Sequence, residues 1–281
     1  MDFHYEELEP APDLRRYVRC YWVLRAPKRS PEDLERIFPD GCTEIVLHRR
    51  GVMNKRHEDG HWRPQARSLI AGQLENYLEL SPDGATDLFA VRFEPFGLAR
   101  FLPVPAWELR DLQVDVRELN QPLADVLDRH SEQTTTTETL VQAVETELRK
   151  LADISKEIDP LLESAATLIE ARGGNVSMDD LLGRTGYSAR QLERRFRDQL
   201  GLSPKKLARV VRFQRLLDAA SNCDEPDWSA LSIDCGYYDQ PHMIREFKSF
   251  TGVSPAAHFA AEESLADYVA GSETFESPDA R

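Results

Sequence analysis

The chain has no long apolar segment and carries an excess of negative charge. No run of about 18 apolar residues occurs, which argues against a membrane-spanning helix. The first ten residues are acidic and do not form a basic leader before an apolar stretch, so we expect a cytoplasmic protein. Lysine and arginine number 35 against 49 aspartate and glutamate residues, a net charge of −14. A chain with this charge is a poor non-specific binder of polyanions.

Cysteine and the common catalytic motifs are scarce. The four cysteines are scattered and form no CxxC pair, which predicts independent reduced thiols rather than a zinc site or disulfides: Cys20, Cys42, Cys223 and Cys235. No GxSxG, P-loop or GxGxxG sequence is present. His57 and His61 have the interval of metal ligands on a helix, but Gly60 and the neighbouring charges predict an exposed loop. We therefore expect no metal, no cofactor and no catalytic activity.

The most informative feature is an internal repeat. Residues 178–204 read MDDLLGRTGYSARQLERRFRDQLGLSP, and residues 228–255 read WSALSIDCGYYDQPHMIREFKSFTGVSP. Each copy has a leucine five residues before a Gly-Tyr pair and ends in Phe, Gly, an apolar residue, Ser and Pro. A duplicated short helix, glycine turn and second helix predicts two helix-turn-helix units, at about 178–201 and 228–252, in a protein that reads DNA.

The second helix of each copy is predicted to be amphipathic. Ser188 can cap the first of these helices, and Pro241 fits the first turn of the other. One face of each helix is apolar: Leu192, Phe196 and Leu200 in the first copy, and Met243, Phe247 and Phe250 in the second. A lone helix of this kind is usually a solvated surface helix, and the duplication is what makes the pattern specific. The opposite faces predict DNA contacts by Ser188, Arg190, Gln191, Arg194 and Arg197, and by Gln240, His242, Arg245 and Lys248.

Positive charge is concentrated around the first unit. Between residues 184 and 215 there are ten basic residues and two acidic ones, a local charge of +8. A local basic surface is the electrostatic pattern of a DNA-binding domain. The acidic remainder is consistent with a sensor domain that does not touch DNA.

The stretch from 159 to 260 resembles the C-terminal DNA-binding domain of the AraC family of bacterial transcription regulators, and FKSFTGVSP is close to the family's closing pattern. The resemblance implies an all-α domain of seven helices, with the two recognition helices in successive major grooves on one side of the duplex. Carried over by position, it implies base reading by Arg190, Gln191 and Arg194 and by Gln240, His242 and Arg245. Glu193 and the lower positive charge of the second helix depart from this pattern.

Composition also predicts the domain boundaries. We assign residues 1–152 to an N-terminal domain, with a flexible joint at SEQTTTTET, residues 131–139, and residues 261–281 to an acidic tail. Residues 140–152 form a predicted helix that either packs on the N-terminal domain or provides half of a dimer contact. A helix after Asp159-Pro160 begins the DNA-binding domain, and a helix over 205–220 joins the two units. The chain is long enough for two domains with separate cores.

The N-terminal domain is predicted to be a β-rich barrel or sandwich with accessory helices. Segments 20–24, 44–48, 68–74 and 88–94 are rich in branched and aromatic residues and are separated by turn formers, and a helix is predicted over 97–102. The region resembles an uncharacterised sensor domain found ahead of AraC-type DNA-binding domains. The residues that carry this resemblance are Pro12, Leu14, Tyr17, Val18, Tyr21, Trp22, Phe38, Pro39, Asp40, Gly41, Cys42, Gly72, Arg92, Phe93 and Pro105.

A ligand pocket in this domain is a further hypothesis. Arg92, flanked by Val91 and Phe93, either faces the interior and pairs with an anionic ligand or points to water. The alternative for Tyr21 and Trp22 is an ordinary place in the core. The candidate effector-binding residues are Tyr21, Trp22, His48, Arg92 and Phe93.

These observations together predict a one-component transcription regulator, monomeric or homodimeric. Its expected partners are double-stranded promoter DNA, RNA polymerase and a small-molecule effector. One alternative is a DNA-repair methyl-transfer enzyme or another enzyme fused to an AraC-type domain, but the repair enzyme requires a cysteine zinc cluster and only Cys20 and Cys42 lie in the first domain. Another is an N-terminal domain that binds a protein or only dimerises.

Overall fold

The computed structural model describes residues 3–30, 32–131, 135–155, 157–223 and 225–260. These residues form a β-rich N-terminal domain and an all-helical C-terminal domain, as predicted. The predicted acidic tail at 261–281 and the centre of the threonine-rich joint, 132–134, lie outside the described residues. None of the helices in the described ranges is both long and apolar enough to cross a membrane.

The N-terminal domain is a sandwich of two antiparallel sheets. Its strands are β1 (His4–Leu8), β2 (Val18–Arg29), β3 (Glu35–Ile37), β4 (Thr43–Arg50), β5 (Met53–Arg56), β6 (Trp62–Pro64), β7 (Ser68–Ala71), β8 (Leu78–Pro82), β9 (Gly84–Phe93) and β10 (Gln113–Asp115). One sheet has the order β1-β2-β9-β4-β7-β10, and the other has the order β3-β8-β5-β6. Neither sheet closes on itself within the described part of the chain, so the barrel alternative is wrong and the sandwich is correct.

The predicted strands form the centre of the larger sheet. Segments 20–24, 44–48 and 88–94 fall in β2, β4 and β9, and β9 pairs with both of the other strands. These strands are apolar on both faces because helices cover one face of the sheet and the second sheet covers the other. The predicted segment 68–74 ends earlier, at Ala71, since the Gly72 N–H donates to Leu112 O instead of continuing the ladder.

Short helices cover the outer face of this sheet. The predicted helix over 97–102 is a 3-10 helix at Gly97–Arg100, and a second 3-10 helix spans Ala106–Leu109. They are followed by α1 (Val116–Leu119), α2 (Gln121–Arg129) and α3 (Thr137–Ile154). The last residues of the predicted joint, 131–139, therefore belong to α3. Thr136 caps this helix by accepting a hydrogen bond from Thr139 N.

Helix α3 is an internal part of the N-terminal domain. Leu140, Val144 and Leu148 are fully buried in the core of the domain. The buried carboxylate of Glu145 accepts hydrogen bonds from Ala11 N at 2.8 Å and from the Tyr21 hydroxyl at 3.4 Å. These contacts support the internal-packing alternative for this helix over the dimer contact.

Seven helices follow in the described C-terminal residues, as the family resemblance implied. They are α4 (Pro160–Ala171), α5 (Met178–Thr185), α6 (Ala189–Leu200), α7 (Pro204–Ser221), α8 (Trp228–Asp234), α9 (Gln240–Thr251) and α10 (Pro255–Phe259). Helices α5 and α6 form the first helix-turn-helix unit, and α8 and α9 form the second. Helix α7 is the predicted connection between them.

Helix α7 contributes to two apolar cores at once. Leu207 and Val211 belong to a large cluster that contains the buried face of α6, whereas Val210 and Phe213 belong to a second cluster with the buried face of α9. The large cluster also continues into the core of the N-terminal sheet, so the two domains share part of one apolar core, although the chain is long enough for two separate cores. The helices between residues 116 and 171 carry apolar faces that join the sheet to the first helix-turn-helix unit.

Ion pairs and hydrogen bonds also join the two domains. Arg16 Nη2 lies 2.6 Å from Glu163 Oε2, and Arg19 Nη2 lies 3.0 Å from Glu170 Oε1, so strand β2 and the residues before it are tied to α4. The more exposed of the two pairs, Arg16–Glu163, contributes little to the free energy of unfolding. Both pairs nevertheless fix the orientation of the sheet on α4.

Val211→Asp is expected to unfold both helix-turn-helix units together, because it introduces a carboxylate into the face of α7 that packs on the large core. We expect the free energy of unfolding to fall by at least about 3 kcal/mol. Chemical denaturation followed by circular dichroism measures this change. Arg215→Asp is the control, since it introduces the same group at an exposed position of α7. A variant in which one unit still protects its half of a DNA footprint would contradict a rigid connection.

Candidate nucleic-acid interface

The first helix-turn-helix unit is defined by local sequence signals. Ser177 caps α5 and Ser188 caps α6, each through a reciprocal capping box with the residue three positions later. Gly186, between the helices, has a φ of 67°, a conformation that side chains with a Cβ rarely adopt. The buried stripe of α6 faces α4 and α7, so the helix presents its other face to solvent.

Three arginines form the exposed face of α6. Arg190, Arg194 and Arg197 are exposed, and no ion pair joins them to any other described residue. Surface arginines commonly form ion pairs with neighbouring carboxylates. These three do not, so their guanidinium groups are available to bind another molecule. A free guanidinium group can bind a guanine edge or a phosphate through two parallel hydrogen bonds.

Two predicted DNA contacts are partly engaged within α6 itself. The Ser188 hydroxyl lies 2.9 Å from Gln191 Oε1, and Ser188 N donates to the same oxygen at 3.0 Å. Gln191 N in turn donates to Ser188 Oγ. The capping box therefore occupies the amide oxygen of Gln191. The same hydrogen bonds also set the orientation of its NH₂ group.

A fourth arginine of α6 positions the helix instead of facing outward. Arg195 Nη1 lies 2.7 Å from Asp159 Oδ2, and its guanidinium group lies 4.8 Å from the ring centre of Tyr187. The Tyr187 hydroxyl donates to the same carboxylate oxygen at 2.7 Å, which raises the pKa of Tyr187. Asp159 also caps α4. One carboxylate thus fixes the orientation of α6 against the start of the domain.

The second unit repeats this architecture with less charge. Gly236 lies between α8 and α9 with a φ of 79°, and Asp239 caps α9. Arg245 and Lys248 are exposed and form no ion pair with other described residues. Gln240 and His242 are half-buried at the start of the helix, where His242 Nδ1 accepts a hydrogen bond from Tyr238 N at 3.4 Å.

Helix α7 fixes the second recognition helix through a partly buried ion pair. Arg209 Nε lies 2.7 Å from Glu246 Oε2, and Arg212 Nη1 donates to Gly236 O at 3.1 Å. Arg209 therefore holds α9, and Arg212 holds the turn before it. Both arginines contribute to the local positive charge between residues 184 and 215. Charge alone does not distinguish these structural arginines from those predicted to contact DNA.

A basic groove lies between the two units. Its volume is about 670 Å³, and residues of α5, α7 and α9 line it. Lys205, which is exposed at the start of α7, and Arg245 contribute positive charge, together with Arg209 and Arg212. Lys205 was not among the predicted DNA contacts, although its position after the Ser-Pro helix start was a usable signal.

The structure divides the predicted effector-binding residues between the two faces of the larger sheet. Trp22, His48 and Arg92 line a cavity of about 150 Å³ between the sheets. Tyr21 and Phe93 instead lie in the core on the helix side, where Tyr21 stacks on Phe89 and Phe93 packs against Phe101. Neighbouring residues of a strand point to opposite faces, so Tyr21 and Phe93 cannot share a pocket with Trp22 and Arg92.

The arginine side chains in the wall of this cavity are paired with carboxylates. Arg92 Nη2 lies 2.7 Å from Asp40 Oδ2, and its Nε lies 2.9 Å from Glu44 Oε1, which also accepts a hydrogen bond from Trp22 Nε1 at 2.9 Å. Arg92 therefore faces the interior and not water, but its partners are carboxylates of the protein. Burial lowers the pKa of His48 and favours the neutral ring.

The histidine and cysteine side chains do not converge on a metal site in the described residues. His57 and His61 lie in the loop between β5 and β6, where His57 N donates to His61 O. The described ranges contain no group of three His, Cys, Asp or Glu side chains placed to hold a metal ion. Cys20, Cys42 and Cys235 are buried, and Cys223 is exposed.

Two family models match the chain, one in each domain. A domain of unknown function (DUF6597) matches residues 6–115, and a helix-turn-helix domain (HTH_18), of AraC type, matches residues 181–261. The boundaries agree with the division between the β-rich and the helical parts of the structure.

A probable transcription factor and several solved structures are similar to the chain. The probable transcription factor PqrA of Proteus vulgaris is 32% identical over 101 residues, which cover 35% of this chain and 80% of PqrA. Among solved structures, ToxT from Vibrio cholerae aligns over 92% of this chain and 98% of its own, at 13% identity and a TM-score of 0.49. The AraC-like transcriptional activator CuxR aligns over 77% of this chain and 86% of its own, at 15% identity and a TM-score of 0.27.

The duplicated helix-turn-helix units, their exposed arginines, the matching domain and the relationship to PqrA lead to one conclusion. The chain belongs to the AraC family and is a DNA-binding transcription regulator.

Proposed function

We propose that this regulator inserts α6 and α9 into successive major grooves of promoter DNA. The observation that carries the proposal is a set of five basic side chains on the outer faces of the two helices that form no ion pair with other described residues: Arg190, Arg194, Arg197, Arg245 and Lys248. Consecutive major grooves on one side of B-DNA are about 34 Å apart, and the rigid α7 helix sets the separation of the two units. Binding, and not catalysis, is the proposed activity.

The two recognition helices are chemically different, which predicts an asymmetric DNA site. The first helix offers three exposed arginines, whereas the second offers Gln240, His242, Arg245 and Lys248. A single chain that carries both units can bind two adjacent half-sites of unlike sequence. Such a site requires no symmetry-related second chain, so we propose that one monomer suffices to read it, in the cytoplasm where promoter DNA lies.

The proposed roles of the arginines differ along α6. Arg190 and Arg194 lie in the first half of the helix, which enters the groove most deeply in helix-turn-helix proteins, and they are assigned to bases. Arg197 lies near the end of the helix and Lys248 near the end of α9, so both are assigned to phosphates. We also propose contact with RNA polymerase and control by a small-molecule effector bound in the N-terminal domain.

Arg194→Ala and Arg245→Ala are each expected to weaken specific DNA binding by about 1–3 kcal/mol, because each removes a two-pronged hydrogen-bond donor. Arg194→Ala is expected to have the larger effect, since α6 carries more of the positive charge. Gel-shift titration on a site identified by a genome-wide binding profile measures the change. Arg63→Ala, an exposed arginine on β6, is the matched control. If both recognition-helix variants are folded and bind as tightly as the control, α6 and α9 do not enter the grooves.

Arg197→Ala is expected to weaken binding to specific and unrelated DNA by a similar factor and to reduce its salt dependence. Removal of one phosphate contact lowers the slope of log K against log salt concentration by about 0.9. Arg194→Ala should instead reduce the preference for the specific site. Fluorescence anisotropy over a range of salt concentrations separates the two effects. An unchanged slope for Arg197→Ala would remove the phosphate assignment.

A further inference from the structure

The cavity between the two sheets is apolar over most of its wall. Leucine, valine and methionine side chains from both sheets surround it, and its volume is about 150 Å³. Close-packed protein interiors hold few voids larger than a water molecule, and an apolar cavity of this size accepts a benzene-sized molecule. The size limits a ligand to a small molecule unless the walls move.

The charged groups in the wall do not favour an anion. Arg92 is paired with Asp40 and Glu44, and Arg29 is paired with Glu35. The wall thus contains three carboxylates for two guanidinium groups, and the neutral ring of His48 adds no charge. An anionic ligand would meet an excess of negative charge, whereas a cation would have to displace an arginine from its carboxylate partner.

One polar side chain in the wall is left without a partner. Gln113, on β10, lines the cavity, and neither its amide oxygen nor its amide nitrogen has a hydrogen-bond partner among the described residues. Both atoms are buried. A buried amide without partners is costly, and its NH₂ and C=O groups together match a ligand that offers both an acceptor and a donor.

A short loop of the N-terminal domain separates this cavity from the DNA-binding domain. Residues 38–42, Phe-Pro-Asp-Gly-Cys, connect β3 to β4. Phe38, Asp40 and Cys42 line the cavity. Asp40 also binds Arg92, and the Gly41 carbonyl accepts a hydrogen bond from Gln73 Nε2 at 2.5 Å.

The same loop is built into the core of the second helix-turn-helix unit. The Phe38 ring packs edge-on against Phe213 of α7, with 6.1 Å between the ring centres, and belongs to the cluster that holds α9. Gln214 Nε2 donates to Pro39 O at 2.6 Å in a buried hydrogen bond. Gly41 approaches α7 so closely that an added Cβ would lie 3.2 Å from Leu207 Cδ1.

We propose that the cavity binds a small, neutral, largely apolar molecule with one amide or hydroxyl group, and that the 38–42 loop transmits its presence to α7. This inference rests on the proposed function, because it adds a ligand class and a route of regulation to the same DNA-binding protein. A ligand held by Gln113 contacts Phe38 and Asp40 from the cavity side, and the opposite side of the loop contacts the helix that joins the recognition helices. Ligand binding then favours one arrangement of the domains over another.

Ligand class is tested with three probes of nearly the same shape and different charge. Benzamide is neutral, benzoate is an anion and benzamidinium is a cation. Isothermal titration of the full chain should show benzamide binding with an affinity about tenfold or more above that of both ions. Benzoate or benzamidinium binding as tightly as benzamide, or no binding of any probe up to about 10 mM, overturns the proposal.

The role of the unpartnered amide is tested with Gln113→Leu, which keeps the approximate volume and removes the hydrogen-bonding groups. Benzamide affinity should fall about fivefold or more, whereas toluene, which has no polar group, should bind the variant at least as well as the original chain. Equal benzamide affinity in the two proteins overturns the assignment. The comparison of the three probes on the unaltered chain does not depend on the folding of this variant.

Transmission through the loop is tested by DNA titration with and without saturating benzamide. The ligand should change the affinity for the specific site by about threefold or more. Gln214→Met, which removes the hydrogen bond to Pro39 O, should retain benzamide affinity and lose most of this change. Bound benzamide that leaves the DNA affinity unchanged overturns transmission. Failure of the unliganded chain to bind specific DNA refutes the proposed function instead, and the titrations with benzamide, benzoate and benzamidinium still decide the ligand class.

Discussion

The packing of helix α7 is the interaction on which the rest of the molecule depends. Its Leu207 and Val211 side chains complete the core beneath α6, and its Val210 and Phe213 side chains complete the core beneath α9. Exposing either of these apolar faces to water would be unfavourable. Helix α7 is therefore stable only when both units are packed against it. Neither recognition helix has enough apolar surface to be stable alone, and each owes its position to this shared element.

Polar interactions then determine the orientation of the recognition helices, which apolar packing alone does not fix. Asp159 caps α4 and binds Arg195 of α6, while Glu246 of α9 binds Arg209 of α7. These are partly or fully buried carboxylates, so loss of either arginine would leave a desolvated charge without its partner. The arginines of α6 and α7 therefore have two roles. Arg195, Arg209 and Arg212 position the helices through a carboxylate or a backbone carbonyl, whereas Arg190, Arg194 and Arg197 form no ion pair with other described residues and remain available for DNA.

The N-terminal domain is coupled to this arrangement by its core as well as by its surface. A single apolar cluster runs from the sheet through α3 to α6, and Phe38 enters the other cluster beside Phe213. Movement of the 38–42 loop therefore cannot occur without a change in the packing of α7, because interiors at native density have little free volume. An N-terminal domain that contributes side chains to both cores of the DNA-binding domain is well placed to influence the separation of the recognition helices.

The sequence by itself determined the local features of this protein. The repeat, the serine caps and the four-residue spacing of Leu192, Phe196 and Leu200 specify the recognition helices, because capping and helical periodicity depend on neighbours along the chain. The tertiary structure alone decided which predicted residues meet. Strand alternation separates Tyr21 from Trp22, and contacts distant in sequence assign Arg195 and Arg209 to positioning rather than to DNA. The cavity, the unpartnered Gln113 amide and the shared core are likewise products of long-range packing, which no local pattern encodes.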